Sequence, residues 1–207
     1  MIRTSPYFYF DPSYDSKGRF CSYWHQINEI ISLNPKAVLE IGIGSGFVFK
    51  YLKERKINII ALDIDKKLNP DIVGNIMSLP FGDNVFDVVA AYEVLEHQPY
   101  ENFYKSLHEI FRVSSAYAIL SLPDVDRVYR FNMQIPLLGE IKKLIPLPRL
   151  KKPVHQFDGE HYWEIGKKGY LLSRITDDIQ KTGFKIESTY RVLENPYHLF
   201  FVLKKLK

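Results

Sequence analysis

The chain has 207 residues, of which 46% are hydrophobic and 25% charged, a composition typical of one globular domain and not of a disordered tail or a disulfide-rich miniprotein. Its single cysteine, Cys21, excludes an internal disulfide and a cysteine-based zinc cluster, and the first residues lack the pattern of a signal peptide, so we expect a cytoplasmic protein. The net charge of +4, from 28 basic and 24 acidic residues, does not indicate a nucleic-acid-binding protein unless the charge is concentrated in one segment.

The predicted elements begin with an extended arm, residues 1–20, followed by an amphipathic helix over Ser22 to Leu33 that Asn34-Pro35 ends. From residue 36 onward, short apolar segments of the kind buried in parallel sheets alternate with helical segments. Strands are predicted at 37–41, 57–62, 86–92, 117–122, 184–192 and 197–203, and helices at 47–55, 99–112 and 169–182. This alternation indicates βαβ units with right-handed crossovers.

The predicted fold class is α/β, with a Rossmann-like, doubly wound, mostly parallel seven-stranded sheet whose last strand is antiparallel. A tight turn at Asn195-Pro196 makes the last two strands an antiparallel pair. An N-terminal helical cap and a lid insertion complete this fold. The whole chain, 1–207, is predicted to be a single domain, with an arm and cap helix in 1–35, a cofactor-binding half in 36–122, a basic lid insertion in 123–160, and a C-terminal helix and strand pair in 161–207.

A glycine-rich loop follows the first strand, and an acidic residue ends the second. The loop reads Gly42-Ile43-Gly44-Ser45-Gly46, and Asp63 lies 17 residues after its last glycine. Glycines let the backbone turn sharply and approach a ligand closely, while an acid at the end of the second strand can accept the ribose hydroxyls of a nucleotide. Dinucleotide enzymes place the last glycine one residue later, so the spacing favours a different nucleotide cofactor.

The segment VLEIGIGSG, residues 38–46, resembles motif I of class I S-adenosylmethionine (SAM)-dependent methyltransferases, in particular the type 11-like members. ALDID, GNIMSLPFGDNVFDVV and EVLEH follow in the order typical of that family. The resemblance covers residues 36–122 well and 165–205 in outline. It implies that the chain is a SAM-dependent methyltransferase, with SAM as cofactor and S-adenosylhomocysteine as product.

The resemblance also implies a set of cofactor-binding residues. The loop would hold the methionyl side of SAM, Asp63 its ribose, and apolar side chains its adenine. Asn75 stands where the family usually has Asp, but its amide oxygen can still accept a hydrogen bond from the adenine amino group. The implied residues are Glu40, Gly42, Gly44, Gly46, Asp63, Ile64, Asn75, Leu79, Tyr92 and Glu93.

Two histidines are candidate general bases for a hydroxyl acceptor, which must lose its proton during methyl transfer. His97 lies just after Glu93, and His161 lies between the insertion and the C-terminal helix. Oxygen is the expected acceptor atom. No metal is predicted, because Asp83-Asn84, a pair also found in metal-dependent enzymes, has no evident partner carboxylates.

The insertion contains the net charge of the chain, because residues 123–157 hold seven basic and three acidic residues. We expect a short amphipathic helix within residues 135–152 and a lid over the acceptor, with Lys142 and Lys143 binding it. A basic lid suits an anionic small-molecule, glycan or lipid-linked acceptor, and the apolar and basic residues of 135–152 are compatible with transient contact with a membrane surface. Nucleic acid is not expected as a partner. From the cap, Arg19 and Tyr23 are further candidates for binding substrate.

Two other functions stay open. One is a non-catalytic SAM-binding or scaffold protein on the same fold, because an intact cofactor loop does not by itself establish turnover. The other is a nucleotide-dependent oxidoreductase, which the position of the third glycine disfavours.

Overall fold

The computed structural model describes residues 9–12 and 14–206. The strands are β1 (Val38–Ile41), β2 (Ile59–Asp63), β3 (Ile72–Val73), β4 (Phe86–Tyr92), β5 (Ser114–Pro123), β6 (Val128–Ile135), β7 (Gly139–Pro146), β8 (Phe184–Arg191) and β9 (His198–Lys205). The α-helices are α1 (Lys17–Ser32), α2 (Phe47–Glu54), α3 (Phe103–Val113) and α4 (Leu172–Lys181). Short 3₁₀ turns lie at Lys66–Leu68, Leu95–His97 and Tyr100–Asn102.

Seven strands form one sheet in the order β3-β2-β1-β4-β5-β9-β8. The neighbours among β1 to β5 are parallel, whereas β9 lies antiparallel between β5 and β8. This topology confirms the predicted Rossmann-like sheet with an antiparallel last strand. The order reverses between β1 and β4, and ligands of such sheets bind in the crevice at the carboxyl ends of these two strands.

Helices cover both faces of the sheet, which explains why its central strands are apolar on both sides. On one face, α3 and α4 pack with the fully buried Trp163, and on the other α1 and α2 pack through Ile30 and Leu52. Burying one such aliphatic side chain stabilises the fold by about 1.5–3 kcal/mol. The packed layers hold the strand ends, from which the candidate site is built.

The cap helix α1 begins at Lys17, five residues before the predicted start at Ser22. The side chain of Ser16 caps the helix by accepting a hydrogen bond from the backbone N–H of Arg19 at 3.2 Å. The predicted extended arm is therefore shorter than residues 1–20. Its residues 1–8 and 13 lie outside the described residues.

The insertion forms a β-hairpin of β6 and β7, so the predicted amphipathic helix within 135–152 is wrong. Side chains in β6 alternate between apolar and polar, from Tyr129 to Ile135, and this period of two fits a strand paired with β7. Leu137 and Gly139 adopt positive φ of 67° and 91° and reverse the chain between the strands. The apolar and basic residues after Ile135 fit a helix when taken alone, and their pairing with β6 makes them a strand.

Candidate active site

A cleft of about 380 Å³ opens at the carboxyl ends of β1, β2 and β4. The cap contributes Tyr14 and Arg19 to its wall. The insertion contributes Phe157, Gly159 and Glu160, and the two residues after it, His161 and Tyr162, also line the cleft. The same cleft therefore joins the glycine-rich loop to both predicted catalytic histidines.

The glycine-rich loop has the backbone geometry that only glycine adopts without strain. Gly42, Gly44 and Gly46 have φ of 80°, 52° and 73°. A Cβ on Gly42 would lie 2.4 Å from Cγ2 of Val94, so the loop also requires a close approach at this point. Gly42 and Gly44 line the cleft, whereas Gly46 is the N-cap of α2 and does not.

Asp63 ties the end of β2 to this loop. Its Oδ2 accepts a hydrogen bond from the backbone N–H of Ile43 at 2.9 Å, and its Oδ1 accepts one from Asp65 at 2.8 Å. Burial raises the pKa of the carboxyl, which these backbone donors partly offset. Since a carboxylate oxygen can accept more than one hydrogen bond, both oxygens of Asp63 have capacity left for hydroxyl groups in the cleft.

Glu40 places a buried carboxyl at the floor of the cleft. Its Oε2 has no hydrogen-bond partner among the described residues. Burial raises the pKa of Glu40 to about 8, so a cationic group entering the cleft would favour its charged form. Tyr92 also lines the cleft, and its hydroxyl donates a hydrogen bond to the carbonyl of Gln26 at 3.2 Å.

Two of the three residues predicted to contact adenine, Ile64 and Asn75, line the cleft. The third, Leu79, does not: it is buried in the core, and Ile76 and Met77 line the cleft instead. The reason is a turn at Asn75, whose Oδ1 accepts a hydrogen bond from the backbone N–H of Met77 at 2.9 Å. The turn directs the chain back into the core before Leu79.

The two predicted catalytic histidines lie together. The ring centroids of His97 and His161 are 4.9 Å apart, and both line the cleft. Burial lowers the pKa of His97 to about 4. Burial also lowers the pKa of His161, but the hydrogen bond to Glu164 and nearby acidic charges outweigh this effect and raise it overall. His161 is therefore the stronger base of the two.

The sequence did not indicate four further residues of this region, namely Glu96, Glu164, Tyr197 and His198. Glu96 is completely buried between the two histidines, and its ligand atom and theirs all lie within 4.8 Å of one another, a grouping able to hold a metal ion. Tyr197 donates a hydrogen bond to Glu164 and contacts His161 at 3.2 Å. His198 lies 3.9 Å from Glu93. The motif EVLEH contained Glu96, but nothing in the sequence indicated that it would be buried.

Glu93 lies at the cleft, as expected from its position after β4. Its φ of 52° places a non-glycine residue in the left-handed region. Such strain is found most often at functional sites. Its Oε1 is buried without a partner among the described residues, which leaves it available to a ligand.

The predicted substrate-binding residues separate into two places. Arg19 lines the cleft, and its Nε donates a hydrogen bond to the carbonyl of Tyr14 at 3.0 Å. Tyr23 does not line it; its ring stacks on Phe47 with centroids 4.9 Å apart. Lys142 and Lys143 line a separate shallow depression beside α1 and β8, because the hairpin strands that contain them lie away from the cleft.

Comparison with known proteins finds a family match in one segment of the chain. Residues 39–121 match the family described as a methyltransferase domain. An uncharacterized protein of Methanocaldococcus jannaschii is 39% identical over 87 residues, which cover 39% of this chain and 37% of that protein. The match thus spans little more than a third of that relative.

Solved structures resemble the whole fold. A SAM-dependent methyltransferase of Clostridium acetobutylicum has a TM-score of 0.64 and 10% identity over 98% of this chain and 100% of its own. Magnesium protoporphyrin IX methyltransferase of Synechocystis, with SAM bound, has a TM-score of 0.63 and 13% identity over 98% and 92%. The 1,6-didemethyltoxoflavin-N1-methyltransferase of Burkholderia thailandensis, with its substrate and S-adenosylhomocysteine bound, has a TM-score of 0.58 and 13% identity over 99% and 92%.

At these identities the structural neighbours establish the fold, and the methyltransferase-domain match falls on the part of it that holds the glycine-rich loop and Asp63. The orphaned carboxyl of Glu40 and the positive-φ glycines fit the cofactor that the sequence predicted. Residues 39–121 thus match a methyltransferase domain, and the fold of the chain is that of the SAM-dependent methyltransferases among its structural neighbours.

Proposed function

We propose that the protein transfers a methyl group from SAM to an oxygen atom of an anionic small-molecule, glycan or lipid-linked acceptor. The observation that carries the proposal is the continuity of one cleft, in which Asp63 and the glycine-rich loop lie at one end and His97 and His161 at the other. A cofactor held by the first group presents its reactive end toward the second.

The residues of the cleft bring acceptor and cofactor together and exclude water. Bound SAM supplies an electrophilic methyl group for an in-line displacement, so orientation of the acceptor is the main contribution of the protein. Glu40 and Asp63 would hold the amino and ribose groups of SAM. Phe157, near the end of the insertion, and Tyr162, just after it, would cover the acceptor.

The histidine pair is proposed to activate the acceptor hydroxyl. The simplest route is proton transfer to His161, since its pKa is raised while that of His97 is lowered to about 4. His161→Ala should lower the single-turnover rate of methyl transfer at least tenfold with SAM affinity retained, in keeping with typical general-base contributions of about 10²–10⁴. An unchanged rate would remove His161 from this role.

We propose an anionic acceptor because Arg19 places a fixed positive charge in the cleft wall. Arg19→Gln should weaken the use of an anionic acceptor and leave a neutral analogue unaffected. Equal losses on both acceptors would contradict the assignment. Lys142 and Lys143 lie outside the cleft, so Lys142→Glu is expected to leave acceptor use in solution unchanged.

Contact with an anionic membrane surface is proposed for the hairpin, residues 128–146. Leu137 and Leu138 at its tip are 107% and 81% exposed, and Lys142 and Lys143 follow them. Apolar side chains flanked by basic ones are typical of segments that bind at a membrane interface. Among the described residues no helix is long and apolar enough to span a membrane. A cytoplasmic location is part of the same proposal.

The acceptor is to be identified with SAM carrying a labelled methyl group, incubated with the protein and fractions of cell extract. Label should appear in an anionic fraction and remain stable to conditions that cleave methyl esters if the product is an ether. Absence of label from every fraction, with SAM bound, would favour the non-catalytic SAM-binding alternative. Binding of NAD in place of SAM would favour an oxidoreductase.

A further inference from the structure

Glu96 is a buried carboxyl without a hydrogen-bond partner. Its side chain is 0% exposed, and neither Oε1 nor Oε2 has a hydrogen-bond partner among the described residues. Buried polar groups in native proteins are nearly always paired, so an exception calls for a missing partner such as an ion. Salt bridges to Lys or Arg are absent for Glu96 within the described part of the chain; its neighbours are imidazoles.

Both imidazoles present the same nitrogen to Glu96. The Nε2 atoms of His97 and His161 each lie 4.0 Å from Oε1 of Glu96. Nδ1 of His97 lies 3.2 Å from the carbonyl of Glu160, and a carbonyl can only accept a hydrogen bond, so this nitrogen carries the proton. Nε2 of a neutral His97 is then left with a free lone pair.

His161 is anchored in the same way. Its Nδ1 lies 3.3 Å from Oε1 of Glu164 and 3.2 Å from the hydroxyl of Tyr197, which itself donates to Glu164. A carboxylate that accepts from Nδ1–H fixes the tautomer and aims Nε2, which is the usual support behind a metal-binding histidine.

We propose that Glu96, His97 and His161 bind a divalent transition-metal ion at the acceptor end of the cleft. The three ligand atoms all lie within 4.8 Å of one another. Bonds of about 2.0–2.2 Å require a modest closing of the side chains around the ion. Two imidazole nitrogens and one carboxylate oxygen favour Zn²⁺, Mn²⁺ or Fe²⁺ over Mg²⁺ and Ca²⁺, which prefer oxygen ligands.

With only three protein ligands, the ion would keep coordination positions open toward the cleft, which both histidines line. If the proposed function holds, an acceptor hydroxyl occupies one of these positions, and the ion lowers its pKa so that its proton passes to solvent. The C–O bond then forms as the C–S bond of SAM breaks and S-adenosylhomocysteine leaves. With the ion bound, His97 and His161 act as ligands, and this route replaces the proton transfer to His161 that is proposed above for the metal-free site.

Metal binding is measured without SAM or acceptor, so its outcome is independent of the proposed methyl transfer. The chelator-treated protein is titrated with Mn²⁺, and free Mn²⁺ is followed by electron paramagnetic resonance; Zn²⁺ is then tested as competitor. We expect one Mn²⁺ per chain, displaced by Zn²⁺. Glu96→Gln and His161→Ala should each weaken binding at least tenfold.

His108→Ala is the matched control, because it removes an exposed imidazole that packs on Tyr104 and should leave binding unchanged. Thermal unfolding of each variant checks that it is folded. If Glu96→Gln does not fold, the partly exposed His97→Ala gives the same test. Absence of stoichiometric Mn²⁺ and Zn²⁺ binding to the wild-type protein, or equal affinity in the folded site variants, would overturn the proposal.

Discussion

Replacement of Asp63 by Ala tests the junction between the glycine-rich loop and the cofactor. The carboxylate accepts two backbone N–H groups, from Ile43 and Asp65, and is only 8% exposed. Leaving those donors without a protein partner should lower the free energy of unfolding by about 1–3 kcal/mol, nearer the lower figure because water enters the cleft. Losing the two hydrogen bonds that the ribose hydroxyls are proposed to donate to this carboxylate, at roughly 1.5 kcal/mol each, should weaken SAM binding about 100-fold.

Asp87→Ala is a matched control for the structural part of this effect. Oδ2 of Asp87 also accepts two backbone N–H groups, from Lys36 at 2.7 Å and Ala37 at 3.2 Å, but at the amino end of β4, away from the cleft. Calorimetric titration with SAM and urea unfolding would be measured on both variants. Asp87→Ala should lose stability and keep its SAM affinity. The reasoning is refuted if Asp63→Ala binds SAM within threefold of the wild-type protein, or if both variants weaken binding equally.

Three further predictions concern pH, the hairpin and the loop. Burial raises the pKa of Glu40 to about 8, above its unfolded value, so the stability that it contributes is present at low pH and is lost as the pH rises from about 4.5 to 8. Glu40→Gln should therefore reduce the fall in the free energy of unfolding between pH 6 and pH 8, and an unchanged fall would contradict the assignment. The double variant Leu137→Asp and Leu138→Asp should no longer sediment with vesicles of anionic lipid, whereas the control Val85→Asp, which replaces an exposed valine elsewhere, should still sediment with them. Equal sedimentation of the two variants would show that the hairpin is not a membrane contact. In urea unfolding, Gly42→Ala should lower the free energy of unfolding more than Gly139→Ala, because both glycines have positive φ but only at Gly42 would the added Cβ clash with Val94. Equal losses of stability would mean that the loop relaxes to accommodate the Cβ.

The part of the fold that the sequence predicts best is the part with the strongest local constraints. The four residues Val38 to Ile41 are all buried, so a short apolar run between polar segments identifies β1 without knowledge of its neighbours. The glycines and Asp63 follow at fixed spacing because the sheet brings the carboxyl ends of β1 and β2 together. Family resemblance and physical pattern agree over this region.

The misplaced features depend on contacts between segments distant in sequence or on a local turn. The strand β7 exists because it pairs with β6, and its own apolar-basic run fits a helix equally well. The same pairing carries Lys142 away from the cleft. Leu79 is buried because the turn at Asn75 redirects the chain. Glu96 meets His161, 65 residues later, because the backbone N–H of Tyr162 donates a hydrogen bond to the carbonyl of Glu96 and brings the two segments together.

The central claim is that the cleft binds SAM, and calorimetric titration of the wild-type protein tests it most directly. SAM and S-adenosylhomocysteine should each bind with one molecule per chain, and NAD should show no saturable binding at the same concentrations. Absence of SAM binding by the folded protein, or saturable binding of NAD alone, would contradict the account.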